Sequence, residues 1–379
     1  MSLFGKKDGE GGVLGVDLGL GGIKLVELTV KDGRPALGTY GFTSGYLGVE
    51  PPKETEGEQS EEDKKKQKAE LDQKQILKSA KALSELIKQT GAKSKQVVSS
   101  IPISAVFSAV MTVTKTDDKD VVAAEVQASA RKLLPVDISE VALDYTELPE
   151  IFTDEESSRK NQTKVLMTAA PKKIIARYST IFEEAGVTLK SLESEASALV
   201  RSLVGEDPAA TLVLDIGHGR SNLYLVRGGI PLIHRSVNIG GERFTKALQD
   251  SLGVTAPEAE QIKIDMAVKR EGDKMLDVFK PVVDPVVQEI KYNLQLFEKQ
   301  LGHATARPDK LILTGGSSLL PHLDSYLENY FEMRAFVGDP WQRVVYPQAL
   351  KMALDQIGPR FAIPIGLALS ETLKKPKKK

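Results

Sequence analysis

Apolar residues alternate with small or polar ones through 13–30, VLGVDLGLGGIKLVELTV, and a glycine cluster interrupts the alternation. That pattern predicts a strand, a tight turn and a second strand. Around residue 50 the pattern stops. GVEPPKETEGEQSEEDKKKQKAE is acidic, then basic, with almost nothing to bury, which predicts a disordered charged loop over 51–71. From 72 to 90, Ile76, Leu77, Ala80, Leu83, Leu86 and Ile87 recur at helical spacing.

Further along, QVVSSIPIS and VFSAVMTVTK read as strands. DKDVVAAEVQASARKLL reads as an amphipathic helix, capped by Asp117 or Asp118 and stopped at Pro135. VALDYTELPE and TKVLMTAAP follow as strands, and 173–185 as a helix ended by Gly186. In SLESEASALVRSLVG, the spacing of Leu192, Ala196, Leu199, Val200 and Leu203 predicts one continuous helix. At Thr211 the opening pattern returns as strand, glycine turn, strand, turn, strand. Helices are predicted at 244–252, 256–271 and 281–301. A strand, a GGSS turn and a helix follow over 309–331, and FAIPIGLALSETL closes the chain as a helix.

Two segments match each other: GVDLGLGGIKLVEL at 15–28 and VLDIGHGRSNLYLV at 213–226. Asp17 corresponds to Asp215 and Gly19 to Gly217. Glycine lets backbone approach a ligand without a Cβ in the way, and successive N–H groups of a tight turn form a concavity suited to phosphate. The candidate phosphate-binding residues are therefore Gly19, Leu20, Gly21, Gly22 and Lys24 in the first bend, and Gly217, His218, Gly219 and Arg220 in the second. The aspartates would repel phosphate directly, but suit Mg2+ held through water. One such hairpin is weak evidence; two copies, one per half, point to a duplicated nucleotide clamp.

Weaker signals accompany it. Gly315, Gly316 and Ser317 open either a base or α-phosphate contact or a plain helix start. Gly241 and Glu242 begin a helix, and Glu242 suits either a ribose hydroxyl or only the helix dipole. Lys291 is a candidate base contact or a surface lysine. Glu195 is the one acid nominated to orient an attacking water, or else a helix-surface carboxylate.

Composition excludes several classes. The formal net charge is −1, so nothing draws the chain as a whole to nucleic acid. With no cysteine, disulfides and thiolate metal sites are excluded, and the four histidines are scattered. No apolar run approaches the roughly 20 residues that span a bilayer, and no secretory h-region is present, so a cytoplasmic location is expected. The basic end LKKPKKK reads as a solvated tail, or as a weak attraction to anionic lipid.

VDLGLGGIK, LESEASAL, LDIGHGRSN, NIGGERFT and LILTGGSS stand in the order of the motifs of the actin/Hsp70/hexokinase superfamily. FAIPIGLALS is similar to that superfamily's second connecting motif. Within it the chain resembles the PilM family of type IV pilus assembly proteins, and beyond that the FtsA family. LFGKK before VLGVDLG, and a strand carrying Ile101-Pro102, are PilM-like. The resemblance implies an α/β actin-like ATPase fold, two RNase H-like lobes around a nucleotide cleft with an inserted subdomain 1C. It implies lobe 1 at 1–50 and 169–208, the insert at 72–168, lobe 2 at 209–245 and 302–379, its last helix returning to lobe 1, and a further subdomain at 246–301. It also implies ATP with Mg2+ as cofactors and a PilN-like membrane protein's N-terminal peptide as partner. Pilus platform and motor proteins, self-association and a peripheral place on the inner membrane belong to the same implication. Leu20-Gly21-Gly22 and Arg220 stand where relatives carry Ser or Thr, which favours nucleotide binding over hydrolysis, with at most a slow ATPase. An FtsA-like filament and a small-molecule kinase are the competing readings.

Overall fold

The computed structural model describes residues 12–43, 61–149, 152, 161–269, 274–301 and 307–373. β1 (Val13–Gly19) is buried along nearly its whole length. Such a strand needs cover on both faces, which places it at a sheet centre. It pairs antiparallel with β2 (Gly22–Lys31), which pairs with β3 (Arg34–Phe42). On its other side it runs parallel to β4 (Gln96–Ile101), and β4 to β8 (Thr188–Ser194). The sheet order is β3-β2-β1-β4-β8.

A second sheet repeats this plan with β11 (Ile230–Val237), β10 (Ser221–Arg227), β9 (Thr211–Ile216), β12 (Lys310–Thr314) and β13 (Arg334–Val337), in the order β11-β10-β9-β12-β13. The strand directions match throughout, antiparallel on one side of the centre and parallel on the other. The internal repeat is thus a repeat of whole sheets.

Alternate residues of each strand face different layers. Leu14, Val16 and Leu18 pack under α1 (Glu61–Thr90) and α3 (Lys172–Glu184). Leu212, Leu214, Leu223 and Leu225 pack under helices α5 (Gly241–Leu252), α6 (Ala256–Lys269), α7 (Lys280–Leu301) and α8 (Leu323–Phe331). The opposite faces share one core. Val13, Val26 and Val98 of the first sheet meet Val213, Tyr224 and Ile312 of the second through α4 (Glu195–Leu199) and α10 (Ala362–Thr372), with Leu354 of α9 (Lys351–Ile357) in the same core. Two glycines allow α10 to sit this deep. A Cβ on Gly15 would lie 1.9 Å from the Pro364 carbonyl oxygen, and one on Gly366 1.9 Å from that of Ala198.

A third, three-stranded antiparallel sheet consists of β5 (Phe107–Thr114), β7 (Gln162–Pro171) and β6 (Val141–Glu147). α2 (Lys119–Leu133) covers it with Val122, Val126 and Ala130. Asp118, rather than Asp117, caps α2 by accepting from the amides of Asp120 and Val121.

Three expectations change. α1 begins at Glu61, so residues 61–71 of the predicted loop are helical; their Glu, Lys, Gln and Ala are helix formers. The rest of that loop, the LFGKK segment and the lysine tail lie outside the described residues. Residues 191–194, including Leu192, form the end of β8 rather than a helix, because parallel pairing with β4 outweighs the local helical period. Ser194 then caps α4, which passes into a π-helical turn, Val200–Val204. Finally, α1 and β4 belong to the first lobe, so the part of 72–168 with its own sheet begins at Phe107.

Candidate functional site

The repeated strands end in matched aspartates. In the first hairpin Asp17 lies opposite Lys24; in the second Asp215 lies opposite Asn222. Both aspartates are buried. Lys24 Nζ donates to Asp17 Oδ2 at 2.8 Å. The Asn222 amide bonds Asp215, and its Oδ1 accepts from Ser236 Oγ at 2.8 Å.

The two bends meet tip to tip. A Cβ on Gly21 would stand 2.8 Å from His218 Cβ, and one on Gly219 3.2 Å from Leu20 Cδ1. Two further glycine segments close on the second bend. The Gly241 amide donates to the Gly217 carbonyl at 2.8 Å, and the Glu242 amide to that of His218 at 2.9 Å. Gly315, at φ +84°, sits where a Cβ would be 2.5 Å from Asp215 Oδ1. A Cβ on Gly241 would lie 2.7 Å from Ser317 Oγ. Gly19–Gly22, Gly217–Arg220, Gly241–Glu242 and Gly315–Ser317 therefore form one assembly.

Its electrostatics follow from three carboxylates, Asp17 and Asp215 buried and Glu195 partly buried. Glu195 Oε2 accepts from the Ile103 amide at 3.1 Å, with Tyr224 Oη at 3.4 Å and Asn222 Nδ2 at 3.5 Å. Burial, then the charge of Asp17, pushes the Glu195 carboxyl up to about 8; Asp215 adds to this, and the Ile103 amide and Arg220 oppose it. Burial and Asp17 likewise push Asp215 up to about 6, against Lys24 and the Asn222 amide. Glu195 and Asp215 are raised beside the charge of Asp17, and a divalent cation there would favour their ionised forms. Among the described residues, no three acidic or histidine side chains are set to ligate a metal ion directly.

The side chains of two sequence candidates are taken up by other contacts. Arg220 donates to Ser104 Oγ on the 3₁₀ turn Ile103–Ala105 and so ties the second bend to the base of the inserted sheet. Lys291 stacks over the Tyr330 ring at 5.4 Å and, with Leu294, Gln295, Phe331 and Glu332, lines a shallow cavity of about 330 Å³. None of the four glycine segments lines that cavity.

The sequence profile of the family described as type IV pilus assembly protein PilM matches residues 58–372. The chain belongs to the PilM family. A solved PilM-PilN type IV pilus biogenesis complex is similar in structure, with a TM-score of 0.75 and 25% identity, covering 96% of this chain and 99% of that one. The ethanolamine utilization protein EutJ from Carboxydothermus hydrogenoformans shares the fold, at TM-score 0.50 and 17% identity, covering 94% of this chain and 88% of that one. Comparison with curated proteins gives no match. The fold is the actin-like α/β one, two duplicated lobes with an inserted sheet, in a pilus assembly scaffold family.

This PilM-family site contains residues that sequence reading missed. Asn222 was legible in principle, since it occupies the repeat position of Lys24. Lys263, on α6, is buried beside Gly241: it donates to Glu260 at 2.7 Å, Thr245 Oγ1 at 2.8 Å and the Gly241 carbonyl at 3.1 Å. Burial pushes its pKa down, and Glu260 holds it up. Only its i,i+3 spacing from Glu260 hinted at this. Ser104 and Tyr224 carried no sequence signal.

Proposed function

We propose that this PilM-family chain is an ATP-binding scaffold of the type IV pilus platform. In this reading Gly19–Gly22 and Gly217–Arg220 present backbone N–H groups to the phosphates. Lys24 turns from Asp17 to a phosphate oxygen. Asp17 and Asp215 hold hydrated Mg2+, which favours the ionised forms of Glu195 and Asp215. Gly241, Glu242 and the Gly315–Ser317 turn border the nucleoside. Glu195 holds its proton near neutral pH and yields it once a cation is beside it, so at most slow hydrolysis is expected. The carrying observation is the tip-to-tip meeting of two aspartate-headed bends from two copies of one sheet.

The partner is a PilN-like N-terminal peptide of a membrane protein, in keeping with the PilM-PilN complex, and it would hold the protein at the inner membrane. Among the described residues, no helix is long and apolar enough to cross a membrane. The junction between the first lobe and the inserted sheet suits an apolar peptide. Ile101, Val106 and Ala170 are buried there, while Ile174, Ile175 and Leu192 remain partly open. Contacts to other platform and motor proteins, and self-association, extend the same reading.

Calorimetry with MgATP, and capture by an immobilised PilN-type N-terminal peptide, test the two parts separately. Micromolar MgATP binding lost on chelation supports the clamp. Peptide capture that survives Ile175→Glu removes the proposed junction.

A further inference from the structure

Beside the Gly315–Ser317 turn lies a cation that the clamp does not use. Arg360 belongs to the 3₁₀ segment Gly358–Phe361 that leads into α10. Its backbone is fixed to the turn: the neighbouring Pro359 carbonyl accepts from the Gly315 amide at 3.1 Å and from Thr314 Oγ1 at 3.0 Å. The side chain runs along the glycines. A Cβ at Gly316 would lie 3.3 Å from Arg360 Nε, 3.7 Å from Cγ and 3.9 Å from Cδ.

Arg360 is half-buried, and its guanidinium makes no hydrogen bond or ion pair with any described residue. Burial pushes its pKa down, and Glu260 is near enough to oppose that. A guanidinium taken partly out of water without a partner is unfavourable, and a ligand can offset that loss. Its planar face suits stacking on an aromatic ring. The ligand's identity follows from the neighbours. Glu260 serves Lys263 and Thr245 close by and would repel a second phosphate, whereas a neutral ring meets no such penalty. The acidic end of the assembly, Asp17 with Asp215, lies across the Gly315 turn. A nucleotide with its phosphates there would extend its base toward Arg360.

We infer that Arg360 is a nucleoside-positioning residue whose guanidinium lies flat on the purine base of a nucleotide held between the hairpins. This rests on the nucleotide reading above. Stacking favours the larger ring system, so the same side chain makes the site prefer purine over pyrimidine nucleotides.

The test uses the full-length protein with MgATP, MgCTP and magnesium tripolyphosphate by calorimetry, with ligand-free melting curves to check folding. Wild type should bind ATP more tightly than CTP. Arg360→Ala should weaken ATP by about fivefold to tenfold, narrow the ATP–CTP gap and leave tripolyphosphate affinity unchanged. Arg360→Lys keeps the charge and stem without the flat face, and should lose as much. Unchanged ATP affinity in the alanine variant, rescue by lysine, or an equal loss of tripolyphosphate would each overturn the stacking role. Wild-type protein that binds no nucleotide would remove the nucleotide reading and this inference together. Wild-type binding that ignores Arg360 removes only the inference.

Discussion

The two hairpins share strand order, strand direction and an aspartate at the same register, yet they hold that aspartate by different means. Asp17 has an ammonium on it, from Lys24; Asp215 has a neutral amide, from Asn222. A lysine neutralises charge and can move to a phosphate. An amide only orients the carboxylate and leaves its charge to a cation; both aspartates still act on Glu195, Asp17 the more strongly. The strands differ as well. Gly15 in β1 occupies the repeat position of Val213 in β9. The valine packs in the shared core, whereas the glycine admits the carbonyl of Pro364. Duplication produced two equal frames, and residue changes at matched positions made one the seat of the C-terminal helix and the source of mobile charge.

Making the first strand like the second should have the largest effect. Gly15→Val forces a side chain into backbone at 1.9 Å, and α10 must shift. A loss of about 3 kcal/mol is expected by denaturant titration, at the top of the overpacking range. A loss below about 1 kcal/mol would mean that α10 is not seated through this glycine.

Next in size are the aspartates. Asp17→Asn and Asp215→Asn should each weaken MgATP by about 10–100-fold, as for other groups that act on a metal through an intermediate partner. Full affinity in either variant would show that only one hairpin works. Lys24→Asn copies the second hairpin into the first, and about a tenfold loss is expected, against a change under about threefold for Asn222→Ala. Equal losses would erase the proposed division between charge and orientation.

The smallest effect is on pH dependence. Glu195 is raised from its ordinary value of 4.5 to about 8, so the folded protein keeps a proton that the unfolded chain releases. Stability should therefore fall as pH rises from about 4.5 through about 8; Asp215, raised to about 6, contributes in the same direction at lower pH. Glu195→Gln removes the first part. Between pH 5 and pH 9 its melting temperature should gain a few degrees on wild type. A gap that stays constant across that range would show that Glu195 is not held protonated.

Much of this was legible along the chain. Alternation marked β1, β2, β9 and β10, and the paired aspartates and glycines marked the bends. Glycine and aspartate there have few other reasons to recur at matched positions, so residue type alone carried the message. Legibility failed where a long-range partner decided the outcome. Leu192 fits a helical stripe, but β4 claims it as strand. Lys291 and Lys263 both lie on helices near acidic residues; only the packing of α6 against Gly241 buries one, while Tyr330 takes the other.

The sequence by itself determined the duplicated frame, the two bends and the chemical types available at them, because these follow from local periodicity and from what each residue can do. Tertiary structure alone decided which charges meet. Glu195 reaches the Ile103 amide across 92 positions, and Arg220 reaches Ser104 across 116. A carboxyl's proton or a guanidinium's ligand depends on burial and neighbours supplied by segments that far away, and no local pattern encodes them.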